Sequence, residues 1–218
     1  MTTRPKHAEP RPQPRLYLMT PTLADAGAFS ASLAAALAAA DVAAVLLRLA
    51  DADEGTLIKR ARALGPAVQD AGAALLIDGR ANIVARARAD GAHATGLPEF
   101  TDATEALKPD GIVGAGGLAT RHDAMLAAET GADYVMFGEP DPSGARPSFA
   151  AIEERVSWWA EVFEAPCVAY AASTGEVAPL VKAGADFVAL GDWLWTDPSA
   201  ITTTLAAVVR DLRLPEPA

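Results

Sequence analysis

The residues equipped for chemistry in this 218-residue chain recur at regular intervals. If the short apolar runs are strands, their downstream ends carry Thr20, Arg48, Asp78, Thr95, Gly116, Gly117, Gly138, Glu139, Ser173, Gly191 and Asp192. Arg80 follows just beyond the third run, and Ser143 and Arg146 lie in a loop after the sixth. A guanidinium at a strand end is costly to bury unless it meets an anion, and its fork suits phosphate. Arg48 therefore has two readings: contact with an anionic ligand, or an internal ion pair with Asp78 on the neighbouring strand. Gly116 and Gly117 let main-chain N–H groups come close to a ligand. Ser173 stands at a helix start of the kind that holds phosphate, although Ser173 and Glu176 also have the spacing of a capping box. Arg146 reads either as a clamp over the site or as a solvated loop residue.

Other candidates are weaker. The lysines are Lys6, Lys59, Lys108 and Lys182, none at a strand end, which argues against Schiff-base chemistry. Cys167 begins a strand and reads as packing. His7, His93 and His122 are too dispersed for a metal cluster. His93 lies mid-strand, where a hydrogen-bonded core histidine competes with a ligand contact. Trp193 and Trp195 follow the eighth strand and read as packing at a helix start, with stacking on a heterocycle or a subunit contact as the alternatives.

The elements that must position these groups come from a repeat. Gly131-Ala-Asp-Tyr-Val-Met-Phe-Gly-Glu139 and Gly184-Ala-Asp-Phe-Val-Ala-Leu-Gly-Asp192 are nearly the same βα unit, each a helix stop, a buried apolar run, then Gly and an acid. Weaker copies begin at Gly72 and Gly91. The strands are expected at 16–20, 42–49, 73–78, 91–95, 111–114, 133–137, 166–171 and 187–190. The helices between them include one from Leu23 to Ala40, one from Asp53 to near Gly72, one opening at Arg80 and one whose start is the Asp102-to-Glu105 capping-box spacing. Helices are also expected at 121–130 and 149–163, from Ser173, and from Asp197 to Arg213. Eight even units give an α/β fold, a single-domain (β/α)8 TIM barrel, with its site at the carboxyl ends of the strands; a doubly wound sheet is the alternative. The barrel is expected over 16–213, with a disordered N-terminal arm at 1–15 and a tail at 214–218.

A net charge of -10 argues against a nucleic-acid surface and for a small-molecule partner. The single cysteine excludes a disulfide framework and makes a cytoplasmic setting the default. The Ala-rich stretch 31–50 is broken by Asp41 and Arg48, so it reads as helix and strand rather than a membrane span.

Leu16-Tyr-Leu-Met-Thr, Ala44-Val-Leu-Leu-Arg48, Leu75-Leu-Ile-Asp-Gly-Arg80, Ala89-Asp-Gly-Ala-His93, the Gly131–Gly138 unit and Pro166-Cys-Val-Ala together resemble thiamine-phosphate synthase and its thiazole tautomerase relatives over about 15–212. The resemblance implies a magnesium-dependent barrel of thiamine biosynthesis. It would join a pyrimidine pyrophosphate to a thiazole phosphate and release pyrophosphate. It places substrate contacts at Arg48, Asp78, Arg80, His93, Gly116, Gly117, Ser143, Arg146 and Ser173, and the magnesium ligand at Asp78. Several positions depart from the pattern: Leu46 and Ala50 replace Gln and Lys, Thr95-Gly-Leu-Pro98 replaces the second metal-ligand motif, Gly116-Gly117 replaces a serine, and Ala171-Ala172 replaces a Gly pair. The expectation is a phosphorylated heterocyclic ligand, with the transfer reaction itself left open by these replacements. The alternatives are a metal-independent tautomerase-like isomerase, or an inactive regulatory paralogue that buries Trp158, Trp159, Trp193 and Trp195 against a partner, a homodimer included.

Overall fold

The computed structural model describes residues 12–213; the expected tail, and the expected arm up to residue 11, lie outside the described residues. Strands β1 Arg15–Met19, β2 Val42–Leu47, β3 Ala74–Asp78, β4 Gly91–Thr95, β5 Ile112–Gly116, β6 Tyr134–Phe137, β7 Cys167–Ala171 and β8 Phe187–Leu190 close into a parallel barrel in chain order. Helices α1 Ala26–Ala39, α2 Glu54–Asp70, α3 Val84–Ala87, α4 Leu97–Leu107, α5 Arg121–Glu129, α6 Phe149–Val162, α7 Val177–Ala183 and α8 Ile201–Asp211 alternate with them. The barrel begins one residue earlier than expected, because Arg15 is in β1, pairs with Phe187 and holds Asp41 at 2.8 Å.

Side-chain alternation divides the core in two. One apolar cluster fills the space between sheet and helices, with Leu18, Leu47, Leu75, Ile77, Val135 and Val188 among its members. A second, inside the barrel, contains Tyr17, Met19, Leu46, Leu76, Tyr134, Met136, Val168 and Tyr170. Three of its largest members are tyrosines, so the barrel axis carries hydroxyl groups that need partners.

The repeated acid at the upstream strand ends has a structural role. Asp90 accepts the N–H of Leu75 at 2.7 Å, Asp133 that of Val113 at 2.6 Å, and Asp186 that of Cys167 at 2.8 Å. Each carboxylate reaches the preceding strand and satisfies a main-chain donor at the barrel floor, where the ladder has run out.

Helix starts explain two departures from expectation. Asp25, Asp53 and Ser148 cap α1, α2 and α6, and Thr120 with Asp123 forms a true capping box on α5. The expected box at Asp102 and Glu105 does not form, since α4 starts at Leu97 with Pro98 in its first turn and Asp102 lies mid-helix. Nor does Ser173 cap: the chain passes through a 3-10 turn, Thr174–Glu176, before α7, and the Glu176 carboxylate is used elsewhere. No helix among the described residues is long and apolar enough to cross a membrane.

Candidate functional site

Arg48 leaves β2 at the downstream rim. Its main-chain N–H bonds the buried Thr20 hydroxyl at 3.0 Å and its Nε donates to the Thr20 carbonyl at 2.5 Å. Its ion-pair partner is Asp192, just after β8, and not Asp78. The expected internal pair is thus replaced by a link across β1 to the acid of the repeat, because closure of the barrel brings β8 beside β1.

Arg146 folds back from the long β6–α6 loop to β7. Nη1 lies 3.0 Å from Glu176, Nη2 reaches the Tyr170 carbonyl at 3.4 Å, and the guanidinium stands 5.6 Å from the centre of the Tyr170 ring. Its Nε is buried with no hydrogen-bond partner. Glu176 also accepts the N–H of Ala172 at 2.8 Å, so one carboxylate both pins the arginine and closes the turn after β7. Arg48, Asp192, Arg146 and Glu176 all act electrostatically on the Tyr170 hydroxyl, whose pKa is raised above the usual tyrosine value chiefly by burial. Ser143, in the same loop, does not join them: its hydroxyl bonds Asp141 at 2.6 Å and serves the local turn. Ser173 is exposed and makes no capping bond, which leaves its hydroxyl open at the rim.

Asp78 ends β3 facing the mouth. Burial raises its pKa to about 6, against the pull of Arg48 and Arg80 and with a push from Glu99. Arg80 turns toward the outer rim and pairs at 2.5 Å with Asp51, an acid so open to solvent that the pair holds it weakly. Glu99, in the first turn of α4, accepts the N–H of Thr95 at 2.7 Å and reaches back over Gly79. Magnesium takes hard oxygen donors, commonly one or two carboxylates completed by phosphate oxygens. Asp78 and Glu99 lie near enough for Glu99 to push the Asp78 pKa up, and among the described residues no group of three or more His, Cys, Asp or Glu could hold a metal ion.

The centre of the mouth is polar to its floor. The Tyr17 and Tyr134 hydroxyls are 2.7 Å apart, and the Tyr134 hydroxyl lies 3.0 Å from His93 Nδ1. Burial holds His93 neutral, its pKa lowered to about 4. Gly116 lets the imidazole and the Glu139 carboxylate close onto the β5 backbone: a Cβ there would stand 2.5 Å from His93 Nε2 and 2.7 Å from Glu139 Oε1, too close for either to stay in place. Glu139 follows β6 after one intervening residue, Gly138, and accepts the Gly117 N–H at 2.5 Å. Part of the residue is open to solvent, but its carboxylate is enclosed and burial raises its pKa to about 7. The Gly117 N–H, expected to face a ligand, is therefore taken by Glu139.

The sequence brought Arg48, Asp78, Arg80, His93, Gly116, Gly117, Arg146 and Ser173 to one rim, and the fold places them there. It set Glu139 and Asp192 at the strand ends without giving them a role, and it did not single out Glu99, Glu176 or the tyrosines. The acid at the end of the repeat was the available signal for Glu139 and Asp192, and strand alternation was the signal for Tyr17, Tyr134 and Tyr170. Three of the four tryptophans spend their indole N–H inside the chain: Trp159 on Ala165, Trp193 on Ala171 and Trp195 on Met19.

Fold and mouth define a parallel (β/α)8 barrel with its polar groups gathered at the strand carboxyl ends. The chain belongs to the thiamine monophosphate synthase family of thiamine biosynthesis, whose model matches residues 16–193. It is 41% identical over 203 residues to a thiamine-phosphate synthase of Rhodospirillum centenum, covering 91% of this chain and 98% of that protein. A thiamine-phosphate synthase of Hyphomonas neptunium is 38% identical over 217 residues, covering 94% and 98%. Among solved structures, a thiamine phosphate pyrophosphorylase from Pyrococcus furiosus superposes with a TM-score of 0.75 at 19% identity, covering 92% of this chain and 96% of that one, a likeness of fold.

Proposed function

We propose that the chain binds a small phosphorylated heterocycle of the pyrimidine or thiazole type at this mouth. Arg146 and Arg48 take the anion, and the ring lies against Tyr170, on whose hydroxyl both arginines act. The observation that carries this reading is Arg146, a mostly buried guanidinium whose Nε has no hydrogen-bond partner. A phosphate arriving there would displace Glu176, whose two oxygens accept from Nη1 at 3.2 and 3.0 Å, and would give the idle Nε an acceptor that Glu176 does not.

Transfer with release of diphosphate is slow in this reading, because Leu46 and Ala50 stand where the family pattern has Gln and Lys, and Thr95-Gly-Leu-Pro98 stands where it has its second metal-ligand motif. Asp78 and Glu99 are the acids positioned for the metal, and Glu139 adds a carboxylate near the path of a diphosphate. The test is calorimetric titration of thiazole phosphate into the protein and its Arg146→Ala variant, run beside an assay of diphosphate release with both substrates and magnesium. Equal affinity in the two proteins would remove the arginine from the site. Rapid release of diphosphate would overturn the claim of slow transfer.

A further inference from the structure

The opposite end of the barrel has a cavity of its own. A space of about 250 Å³ lies at the upstream strand ends, between Ala44, Ala74, Ile112 and Phe187. Barrel layers are ordinarily filled by bulky branched side chains. Here Ala44 and Ala74, register partners on β2 and β3, give the floor layer too little volume to close. Ala74, Ile112 and Phe187 are half-buried, so the cavity is reached from solvent.

Its lining is apolar, and its polar side chains are already engaged. At the rim Arg15 holds Asp41 at 2.8 Å, and Asp133 takes both the Lys108 ammonium and the Val113 N–H at 2.6 Å. Deeper in, the Tyr17 and Tyr134 hydroxyls bond each other, and the Tyr134 hydroxyl bonds His93. An anion or a metal ion would have to break one of these pairs and give up its hydration as well. An uncharged ring gives up only its contact with water, which favours burial.

The lining also selects among apolar molecules. Phe187, Tyr17 and Tyr134 all border the cavity, and the two tyrosines stand edge to face with ring centres 5.6 Å apart. Aromatic rings gain from such edge and face contacts beyond the area that they bury. An apolar cavity of about 150 Å³ holds benzene, so the larger space here admits a second ring. The segment 1–11 has Met1 as its one large apolar side chain and offers the cavity little from the same chain.

We propose that the barrel floor is a second ligand site, at the far end from the mouth, for an uncharged flat molecule of one or two aromatic rings. The inference is independent of what the mouth binds. The two ends are nevertheless connected. Tyr17 and Tyr134 border the floor cavity, and the Tyr134 hydroxyl lies 3.0 Å from His93 Nδ1, so a ring packed against the tyrosines registers at the imidazole on the mouth side.

The probe is indole, titrated into nitrogen-labelled wild-type protein and followed by amide and imidazole NMR. It should bind with a Kd below about 1 mM and shift the amides of Ala44, Ala74, Ile112 and Phe187 most strongly. The His93 imidazole signal should move with the same midpoint. Ala74→Leu fills the space, so the Kd should rise at least tenfold while the melting temperature stays within about 2 °C of wild type or rises. Phe187→Leu keeps an apolar side chain and removes the ring, and should weaken indole about 2- to 10-fold. Indole-3-acetate, which adds a charge, should bind at least tenfold more weakly than indole. No binding of indole, shifts confined to the strand carboxyl ends, or an unchanged Kd in folded Ala74→Leu would overturn the proposal. Unchanged affinity in Phe187→Leu, or equal binding of indole-3-acetate, would overturn the ligand class. If Ala74→Leu does not fold, the shift map of the wild-type protein and the Phe187→Leu affinity decide.

Discussion

The carboxylate of Glu176 lies 3.0 Å from the guanidinium of Arg146 and 2.8 Å from the main-chain nitrogen of Ala172, so one acid holds a loop arginine against the end of β7. The arrangement supplies positive charge at the mouth and covers it at the same time. A ligand anion must compete with Glu176, and the two residues should therefore respond oppositely to substitution.

Arg146→Ala should weaken thiazole phosphate about 10- to 100-fold, the scale of a lost charge-assisted hydrogen bond of roughly 1.5–3 kcal/mol. Glu176→Gln removes the competing charge and keeps the shape, so affinity should rise, by less than about tenfold. Calorimetry on both variants and wild type checks the pair; a fall in affinity in Glu176→Gln would mean that the acid positions the arginine rather than competing for it.

Glu139 should leave a signature in stability against pH. Its folded pKa, about 7, is raised above the ordinary 4.5, so its contribution is fully present below about pH 4.5 and is lost as pH rises through 7. Asp78 adds the same sign between 3.8 and about 6. His93 has the opposite sign, its pKa lowered from 6.5 to about 4, so its contribution is lost as pH falls through that range. Glu139→Gln should be more stable than wild type at pH 8 by on the order of 1–2 kcal/mol and show no gain at pH 4, which urea unfolding at the two pH values measures.

Gly116→Ala places a methyl group where His93 Nε2 and Glu139 Oε1 converge. Overpacking of this kind costs about 1–3 kcal/mol, and His93 and Glu139 must move to relieve it. The variant should fold with a lowered melting temperature and bind thiazole phosphate at least tenfold more weakly. Unchanged binding would show that neither group borders the ligand.

At the other end of the barrel, Asp133→Ala should separate stability from function. Asp133 accepts the Val113 N–H at 2.6 Å and pairs with Lys108 at 2.6 Å, far along β6 from Glu139. Losing the acceptor should cost about 1–3 kcal/mol and lower the melting temperature by roughly 2–4 °C for each kcal/mol. Ligand affinity should be unchanged at temperatures where the variant is folded.

The sequence by itself determined the barrel. Eight apolar runs at even spacing, several of them ended by Gly or an acid, leave a parallel sheet closed on itself as the economical way to bury every strand on both faces. It also determined which residues reach the rim, because strand ends converge in any such closure, and Arg48, Asp78, His93 and Gly116 follow from the strands that carry them.

Tertiary structure alone decided the partners. Asp192 answers Arg48 across 144 residues and Tyr134 answers Tyr17 across 117, separations that local spacing does not encode. Ser173 and Glu176 show the limit clearly: four residues with the spacing of a capping box gave up the box because Arg146, arriving from another loop, is the stronger claim on the carboxylate. Local patterns specify elements through short-range sterics and hydrogen bonding, whereas the charge on each group depends on which distant side chains close over it and exclude water.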